Sequence, residues 1–203
     1  LDGVTGVQTC ALPIYLFPGV AIAEEFRRRD GANEVLFIGT NRGLEARVLP
    51  QTGFPLAALD VEGIKGRGLV RSVAALAKVP RSLLESRRIL RGFAPDVVIG
   101  VGGYASGPAV LAARCMGLPT AIAEQNAIPG ETNRILGKFA DRVFVSFPET
   151  ARWFRPGRVR VTGNPIRAAI AAGRRRDRKP GDPFTILVRS EEHTSELQSH
   201  HPI

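Results

Sequence analysis

The sequence predicts an α/β fold built on a parallel sheet. Short apolar runs alternate along the chain with amphipathic segments, which is typical of strands and helices in such sheets. One apolar run, Asp96–Val101, leads directly into two glycines, and glycine turns from strand to helix are common in this class. The 203 residues are 44% hydrophobic and 23% charged, which argues against a disordered, collagen-like or disulfide-dependent chain. No apolar run reaches the ~18 residues that a membrane span needs.

The first half of the chain is predicted to begin with a helix. Apolar residues recur near every 3.6 positions over Leu16–Arg29, and three arginines suit the helix C-terminus. A basic loop with three glycines, 63–68, precedes a longer helix at 69–92, which Pro80 is expected to kink or split because proline lacks a backbone N–H. Between these helices, apolar runs and cap residues predict a strand at 34–39, a helix at 43–51 and a strand at 54–61.

The second half repeats the alternation of short strands and helices. Strands are predicted where short apolar runs occur, at 96–101, 120–123, 142–146 and 159–163. Helical segments are predicted at 107–116, 132–140, 148–154 and 166–172. A linker rich in Arg, Gly and Pro follows at 173–183, and Phe184–Val188 has the pattern of the first strand of a second domain.

Both ends of the chain differ from its middle. Residues 189–199 can be encoded by a DNA sequence that is common as a sequencing adapter, and the reverse complement of that DNA encodes Thr5–Ile14. We therefore interpret 1–15 and 189–203 as non-native tails and expect them to lie outside the fold. Natural disordered tails are the alternative.

The chain between the tails is strongly basic. Lys and Arg total 28 against 19 Asp and Glu, a net charge of +9, and excluding the tails removes one basic and four acidic residues to give +12. This charge indicates an anionic partner: nucleic acid, a lipid surface or phosphates. All three histidines lie in the second tail, so residues 16–188 offer no His-based metal site or His general base. Two cysteines do not make a disulfide framework, which fits a reducing compartment.

The first candidate site is the glycine turn after the 96–101 run. Gly102 and Gly103 allow a tight turn and close approach of a ligand to the backbone. Ser106 is predicted to cap the following helix, whose free N–H groups favour a phosphate. The alternative is a plain turn between strand and helix that binds no ligand.

The second candidate site is the polar sequence at the end of the 120–123 strand. Open α/β sheets bind ligands beyond the carboxyl ends of their strands. Glu124 there is placed to act as a base or hydrogen-bond acceptor, and Asn126 to hold a polar ligand. The alternative is a structural loop in which Asn126 stabilises the turn and Thr132 caps the next helix.

The third candidate site is the sequence Gly163–Arg167, in which a strand end leads through a turn into a helix. The planar guanidinium of Arg167 suits bidentate binding of a diphosphate. The alternative is a solvated arginine.

Four sequence blocks occur in the order and spacing of one known enzyme family. They are Leu16-Phe-Pro-Gly-Val-Ala-Ile-Ala-Glu24, Gly102-Gly-Tyr-Ala-Ser-Gly-Pro108, Glu124-Gln-Asn-Ala-Ile-Pro-Gly130 and Gly163-Asn-Pro-Ile-Arg167. With these blocks, residues 16–188 resemble the MurG-type N-acetylglucosaminyltransferases of bacterial peptidoglycan synthesis.

The resemblance implies the N-terminal half of a two-domain glycosyltransferase of the GT-B type, with the active site between two Rossmann-like halves. Such an enzyme transfers N-acetylglucosamine from UDP-N-acetylglucosamine to the C4 hydroxyl of undecaprenyl-diphospho-muramoylpentapeptide, with inversion and without an essential metal or cofactor. The implied partners are these two substrates and an anionic membrane surface, with no nucleic acid. The implied location is peripheral, at the cytoplasmic face of the bacterial inner membrane.

The resemblance also assigns roles to particular residues. It implies that Asn126 and Arg167 contact the UDP-sugar, and that Glu124 at the cleft supports the acid–base step. For the acceptor diphosphate it implies contacts from the glycine turn and its neighbours, Gly102, Gly103, Tyr104 and Ser106.

The chain departs from the family at both ends. In the family, a strand and a Gly-rich loop ending in His precede the position of Leu16, where this chain has Pro13, Ile14 and Tyr15. The chain also ends before a Gly-rich loop that the family carries after the position of Val188. The resemblance therefore predicts an acceptor-binding domain at 16–172 that lacks its first strand and is inactive by itself, followed at 173–188 by a linker and the first strand of the donor domain.

One further segment is predicted to face the membrane. An apolar stripe recurs at spacings of 4 and 3 in the 69–83 region, with cations around it. An apolar stripe flanked by cations suits an anionic lipid surface. The residues assigned to this surface are Leu69, Val73, Leu76, Lys78 and Arg81. The alternative is that the stripe packs on the sheet.

Two other functions stay open at this stage. A basic nucleic-acid-binding module fits the charge, although residues 16–188 contain one Tyr, one Trp and no helix-turn-helix, zinc or RNA-binding motif. A nucleotide-sugar epimerase or another transferase on the same sheet is the second.

Overall fold

The structure, a computed structural model, describes residues 5–9, 13–40, 45–59, 69–103 and 105–173. Its strands are β1 (Thr5–Thr9), β2 (Glu34–Gly39), β3 (Leu56–Ala58), β4 (Val97–Gly100), β5 (Thr120–Glu124), β6 (Arg142–Val145) and β7 (Val159–Val161). Its α-helices are α1 (Pro13–Arg29), α2 (Glu45–Thr52), α3 (Leu69–Phe93), α4 (Ser106–Cys115), α5 (Glu131–Leu136) and α6 (Ala168–Ala171). Two short 3-10 helices span Pro148–Trp153 and Pro156–Arg158.

The strands form one parallel sheet, which confirms the predicted fold class. The spatial order is β3-β2-β1-β4-β5-β6-β7, and every neighbouring pair is parallel. The order therefore reverses direction between β1 and β4, which is where open α/β sheets place their ligand crevice. Because the strands are parallel, the loops that follow β4, β5 and β7 all leave the sheet at the same edge.

The core lies on both faces of the sheet. On one face, Leu16 and Val20 of α1 and Leu49 of α2 pack with Phe37 of β2 and Ala123 of β5. On the other face, a second buried cluster joins α3 and α4 to the sheet, and its members include Leu90, Val110, Ile122 and Val143. Right-handed crossovers explain this division, because the chain runs in opposite directions across the sheet before and after the switch between β1 and β4.

Strand β1 lies in a region that was expected to remain outside the fold. Thr5–Thr9 pairs with β2 on one side and with β4 on the other, at the centre of the sheet. The expectation that 1–15 lies outside the fold and that the first strand is missing is therefore wrong for this segment. Parallel pairing uses backbone N–H and C=O groups, which nearly any segment supplies, and an empty position there would leave β2 and β4 with unpaired edges. The non-native origin of residues 1–15 stays a prediction.

Helix α3 is not split at Pro80. It runs without interruption from Leu69 to Phe93, with an exposed Pro80 inside it. Its second half packs along α4 and buries Ser86 and Leu90. We attribute the continuity to this packing, which offsets the one hydrogen bond that proline removes.

The amino end of β5 is fixed by a carboxylate. Asp141 Oδ2 accepts hydrogen bonds from the backbone N–H and from the Oγ1 hydroxyl of Thr120, both at 2.9 Å. The hydrogen bond from the Thr120 backbone holds the pKa of Asp141 below its usual range, and the charges of Arg114 and Arg158 add to the effect. Asp141 therefore stabilises the start of β5 in its ionised form.

The other predicted segments lie after the described sheet domain in the sequence. The linker and strand predicted at 173–188, and the tail at 189–203, lie outside the described residues from position 174 onward.

Candidate functional site

The carboxylate of Glu124 organises the loop that follows β5. Its side chain is 1% exposed. Oε1 accepts hydrogen bonds from the backbone N–H and the Nδ2 of Asn126, both at 2.9 Å. Oε2 accepts from the backbone N–H of Gly130 at 3.1 Å and from Nδ2 of Asn133 at 2.9 Å. A carboxylate has about four lone-pair directions, so these donors use the full acceptor capacity of Glu124.

Two further side chains hold the same loop. Asn133, buried on α5, also donates from Nδ2 to the carbonyl of Ala123 at 3.2 Å. The hydroxyl of Thr150, in the 3-10 helix after β6, is shared between the carbonyls of Asn126 at 3.0 Å and Ala127 at 3.1 Å. Asn126 is therefore fixed through its backbone and one amide hydrogen, which leaves its Oδ1 and second amide hydrogen for a ligand.

The glycine turn after β4 closes on itself. Gly102 and Gly103 have φ of +111° and +83°, in the left-handed region that glycine adopts readily. The hydroxyl of Ser106 donates to the carbonyl of Gly102 at 2.6 Å, and its oxygen lies 3.2 Å from the Gly102 N–H, which donates to it. The prediction that Ser106 caps the helix is therefore wrong. Ser106 is the first residue of α4 and bonds back to the turn, and the cap position is occupied by Ala105, which makes no side-chain hydrogen bond.

Tyr15 lies between the glycine turn and the Glu124 loop. A Cβ atom placed on Gly102 would lie 2.7 Å from the Tyr15 ring, and one placed on Gly130 would lie 3.5 Å from the Tyr15 hydroxyl. No side chain larger than glycine fits at Gly102 while Tyr15 holds this position. Tyr15, one of the three residues that stand in place of the resembled family's Gly-rich loop, thus lies beside both loops.

The third candidate site lies beside the first helix. Gly163 turns the chain with φ of +76°, and Arg167 immediately precedes α6. The guanidinium carbon of Arg167 lies 4.8 Å from the ring centroid of Phe17. The buried Nε of Arg167 has no acceptor among the described residues.

One cavity joins the second and third sites. It has a volume of about 260 Å³ and lies between α1 and the carboxyl ends of β5 and β6. Glu124 and Gln125 line it from one loop, and Gly163 and Pro165 from the other. The structure therefore brings the Glu124 loop and the Gly163 turn together, and Tyr15 lies between the glycine turn and the Glu124 loop. Tyr104, the remaining predicted acceptor residue, lies outside the described residues.

The predicted membrane-facing residues are described only in part. The side chains of Leu69, Val73, Leu76 and Lys78 lie outside the described part of the chain. Arg81 is exposed and pairs with Glu85 at 2.9 Å. Leu84, on the following turn, is 68% exposed. Among the described helices, none is both long enough and apolar enough to cross a bilayer.

Sequence reasoning missed three residues of the site. Asn133 and Thr150 hold the Glu124 loop, and Gln125 places a buried amide, without a partner among the described residues, at the cavity. Asn133 closes the polar stretch that begins at Glu124, and a search for amides near that carboxylate in sequence finds it. Nothing in the sequence singles out Thr150, because its partners lie more than twenty positions away.

The arrangement places the amide side chains of Gln125 and Asn126 and the guanidinium of Arg167 beyond the carboxyl ends of β5 and β7. Glu124 holds two amides and two backbone N–H groups, whereas a proton acceptor needs a lone pair that faces its substrate. The acid–base role of Glu124 stays a prediction, and so do the ligand contacts of Asn126 and Arg167.

Comparison with known sequences places this geometry in context. The family described as "Glycosyltransferase family 28 N-terminal domain" matches residues 16–145. A protein of Syntrophus aciditrophicus, named UDP-N-acetylglucosamine–N-acetylmuramyl-(pentapeptide) pyrophosphoryl-undecaprenol N-acetylglucosamine transferase, is 62% identical over 174 residues, which are 86% of this chain and 48% of that protein. A protein of the same name from Citrifermentans bemidjiense is 50% identical over 175 residues, or 86% of this chain and 49% of that protein. The chain spans about half the length of the curated relatives it matches.

Solved structures agree with the fold. MurG of Acinetobacter baumannii has a TM-score of 0.67 and 32% identity, over 80% of this chain and 46% of that one. The UDP-GlcNAc 2-epimerase of Neisseria meningitidis has a TM-score of 0.61 at 17% identity, over 79% of this chain and 46% of that one. The second likeness shows the fold alone.

Proposed function

The chain belongs to the glycosyltransferase family 28 N-terminal domain family, and on that premise we propose that it is the acceptor-side half of a peptidoglycan N-acetylglucosaminyltransferase. The complete enzyme transfers N-acetylglucosamine from UDP-N-acetylglucosamine to undecaprenyl-diphospho-muramoylpentapeptide. The observation that carries the proposal is the 62% identity to a relative named for this transfer. The three loop motifs of the candidate site, which lie at the same edge of the sheet, support it.

The proposed reaction is an inverting displacement. The C4 hydroxyl oxygen of the muramoyl sugar attacks the anomeric carbon of the donor sugar, and a C–O bond forms between the two sugars. The bond between the anomeric carbon and the diphosphate oxygen breaks, UDP leaves with the bonding electrons, and the hydroxyl proton passes to a base. The resemblance implies no essential metal or cofactor, and we propose that N–H groups and cations of the protein meet the diphosphate charge.

For the donor, we place Asn126 and Arg167 at the UDP-sugar. Asn126 offers a side-chain oxygen and an amide hydrogen from a loop that Glu124 and Thr150 already hold in place. Arg167 offers a planar cation suited to a diphosphate. Preorganised contacts of this kind lower the entropic cost of binding the donor.

For Glu124, we propose that it positions Asn126 rather than taking the proton. Its four acceptor directions are occupied by neighbouring donors, so it has no lone pair left for the C4 hydroxyl. The carboxylate instead fixes the amide that contacts the donor.

For the acceptor, we place the glycine turn at the diphosphate, with Gly102, Gly103, Tyr104 and Ser106 around it. The two glycines have positive φ and present little side-chain bulk, which lets a phosphate approach the backbone. Tyr15 packs directly against Gly102. A smaller residue at position 15 would open that approach.

We propose that the enzyme works as a peripheral protein at the cytoplasmic face of the inner membrane. Its proposed acceptor carries a polyprenyl chain, which holds the reacting sugar at the bilayer. The basic charge of the chain and the cation-flanked stripe of α3, with Leu69, Val73, Leu76, Lys78 and Arg81, support contact with anionic lipid. Replacing Arg71, Lys78 and Arg81 by Glu should reduce sedimentation with anionic vesicles and leave the far-UV circular dichroism unchanged. If the wild type and this variant bind the vesicles equally at low salt, the segment packs on the sheet and does not face the membrane.

The transfer is tested with a chimera, the restored enzyme, in which residues 16–172 replace the matching part of the Syntrophus aciditrophicus relative. The restored enzyme should transfer labelled N-acetylglucosamine to a lipid-linked acceptor. The 203-residue chain should show no transfer, because donor and acceptor must be held together for reaction. Arg167→Ala in the restored enzyme should raise KM for the donor about tenfold or more, since a charge-assisted contact is lost. A folded restored enzyme without transfer, or robust turnover by the 203-residue chain, would contradict the proposal.

A further inference from the structure

Phe17 and Arg167 bring the first helix and the last described helix together. Phe17 lies in the early part of α1, and Arg167 immediately precedes α6. The Arg167 guanidinium carbon is 4.8 Å from the Phe17 ring centroid, which is within the range of a cation–π contact. Helices α1 and α6 also contact each other. The contact thus joins two parts of the chain that are 150 residues apart in sequence.

Arg167 is held in a different way from the three ion-paired arginines of the described residues, and Arg27, Arg134 and Arg152 also lie over aromatic rings. Arg28 and Arg29 share the carboxylate of Glu25, and Arg81 pairs with Glu85, so a carboxylate lies against each of them. Arg167 forms no ion pair within the described residues, and the Phe17 ring holds it instead. An aromatic face attracts a guanidinium without cancelling its net charge. Arg167 is therefore fixed in place and still able to attract an anion.

One hydrogen-bond donor of Arg167, its Nε, has no acceptor among the described residues. This nitrogen is buried. A buried N–H without an acceptor is unfavourable. An anionic oxygen beside Arg167 would remove this penalty, and the Gly163 turn that leads to Arg167 lines the same cavity as Glu124.

We propose that Phe17 is a positioning residue for the donor: it holds the guanidinium of Arg167 ready for a diphosphate oxygen. The inference rests on the donor role proposed for Arg167. A long arginine side chain loses rotamer freedom when it binds a ligand, and the ring removes part of that freedom beforehand. The aromatic face is the property that matters at position 17, because an aliphatic side chain of similar size would fill the space without attracting the cation. Phe17 is 37% exposed, so its contribution to the core is limited.

The test measures steady-state kinetics of the restored enzyme. Phe17→Leu should raise KM for UDP-N-acetylglucosamine about two- to fivefold, the range expected for one cation–π contact. The kcat should stay within about twofold, since the ring does not touch the reacting atoms. Phe17→Tyr keeps an aromatic face and should retain the wild-type KM. The matched control is Phe139→Leu, which removes another partly exposed phenylalanine, on the segment after α5.

A double-mutant cycle with Arg167→Ala separates the possible failures. If Phe17 acts through Arg167, adding Phe17→Leu to Arg167→Ala should raise KM no further. If Arg167→Ala raises KM while Phe17→Leu does not, or if the two effects multiply, the positioning role is wrong and the donor role of Arg167 stands. If Arg167→Ala leaves KM unchanged, the donor role fails and the inference falls with it. Unfolding midpoints of all variants identify any that lose stability.

Discussion

The strand β1 and the Glu124 loop are built in opposite ways. Strand β1 (Thr5–Thr9) enters the centre of the sheet through backbone pairing with β2 and β4. The loop after β5 keeps its shape through particular side chains, with Glu124 bonded to Asn126 and Asn133. A position in a sheet is therefore open to many sequences, because pairing uses groups that almost every residue carries. A ligand-binding loop accepts few sequences, because each of its hydrogen bonds depends on one particular side chain at one position.

The largest effect is expected from breaking the backbone pairing of β1. Val7 lies opposite Leu36 of β2 and Val98 of β4. Val7→Pro removes an N–H and distorts the strand, so the free energy of unfolding should fall by at least about 3 kcal/mol. Urea unfolding measures this, with Val7→Ile as the control that keeps a β-branched residue. Identical midpoints for Val7→Pro and wild type would show that 5–9 does not pair in the sheet.

The next largest effect is expected at Glu124. Glu124→Gln keeps the size of the side chain but turns an amide towards groups that are themselves donors. The free energy of unfolding should fall by about 2 to 3 kcal/mol, because buried donors lose an acceptor. In the restored enzyme, KM for the donor should rise. Glu131→Gln, an exposed glutamate at the start of α5, is the matched control.

The opposite result at Glu124 is equally informative. A loss of kcat with unchanged stability and unchanged KM would assign proton transfer to this carboxylate and remove the positioning role.

A smaller effect is expected at Asp141, at the other end of β5. Asp141→Asn should lower the free energy of unfolding at pH 7 by about 1 to 2 kcal/mol, because Thr120 loses a charged acceptor. The folded pKa of Asp141 lies below its usual value. Its contribution is therefore complete above the unfolded pKa of about 4 and disappears as the pH falls through the folded pKa.

The measurement compares urea midpoints at pH 7 and pH 3. The difference between wild type and Asp141→Asn should shrink at pH 3. Glu149→Gln, an exposed acid, should show no such difference at either pH. If the stability difference between wild type and Asp141→Asn grew as the pH fell, the ionised carboxylate would not be the stabilising form, and the hydrogen bonds from Thr120 would not be the cause of the lowered pKa.

The smallest effect is expected at Thr150. Thr150→Val keeps the shape of the side chain but removes the hydroxyl that holds the carbonyls of Asn126 and Ala127. The free energy of unfolding should fall by about 1 kcal/mol. Thr132→Val changes a threonine that holds neither carbonyl and serves as the control. If the free energy of unfolding falls equally in both variants, the hydroxyl of Thr150 does not hold this loop.

The same comparison explains which parts of the fold the sequence could predict. Strand β2 was predicted to the residue, because its apolar run is buried on both faces. The parallel fold class followed from the same pattern. Strand β1 was not predicted, because residues 1–15 were interpreted as a non-native tail and Thr5–Thr9 has no apolar run. It enters the sheet because β2 and β4 leave a place for it. Pro80 was expected to kink or split α3, but tertiary packing, which is invisible in a local pattern, keeps the helix whole.

The site was predictable to the level of residue types and not of hydrogen-bond partners. Gly102 and Glu124 stand out because they follow buried strands. The direction of a short side chain does not follow from its position, so Ser106, which precedes a helical run, was read as a cap although it bonds back to Gly102. The partners Asn133 and Thr150 arrive from other elements, and only the folded chain brings them to the loop.

The hydrogen bonds between Ser106 and Gly102 offer a way to measure whether a ligand occupies the glycine turn. The serine hydroxyl has one hydrogen, and the Gly102 carbonyl takes it at 2.6 Å. A ligand that draws the Ser106 side chain to itself, by rotation about the Cα–Cβ bond, takes Oγ away from the turn, and the Gly102 N–H then loses its acceptor. Occupancy of the turn can therefore be followed by the rate at which the Gly102 amide exchanges its hydrogen for deuterium from the solvent. Slow exchange should mark a Ser106 side chain that still bonds to Gly102, and faster exchange one that has turned to a ligand.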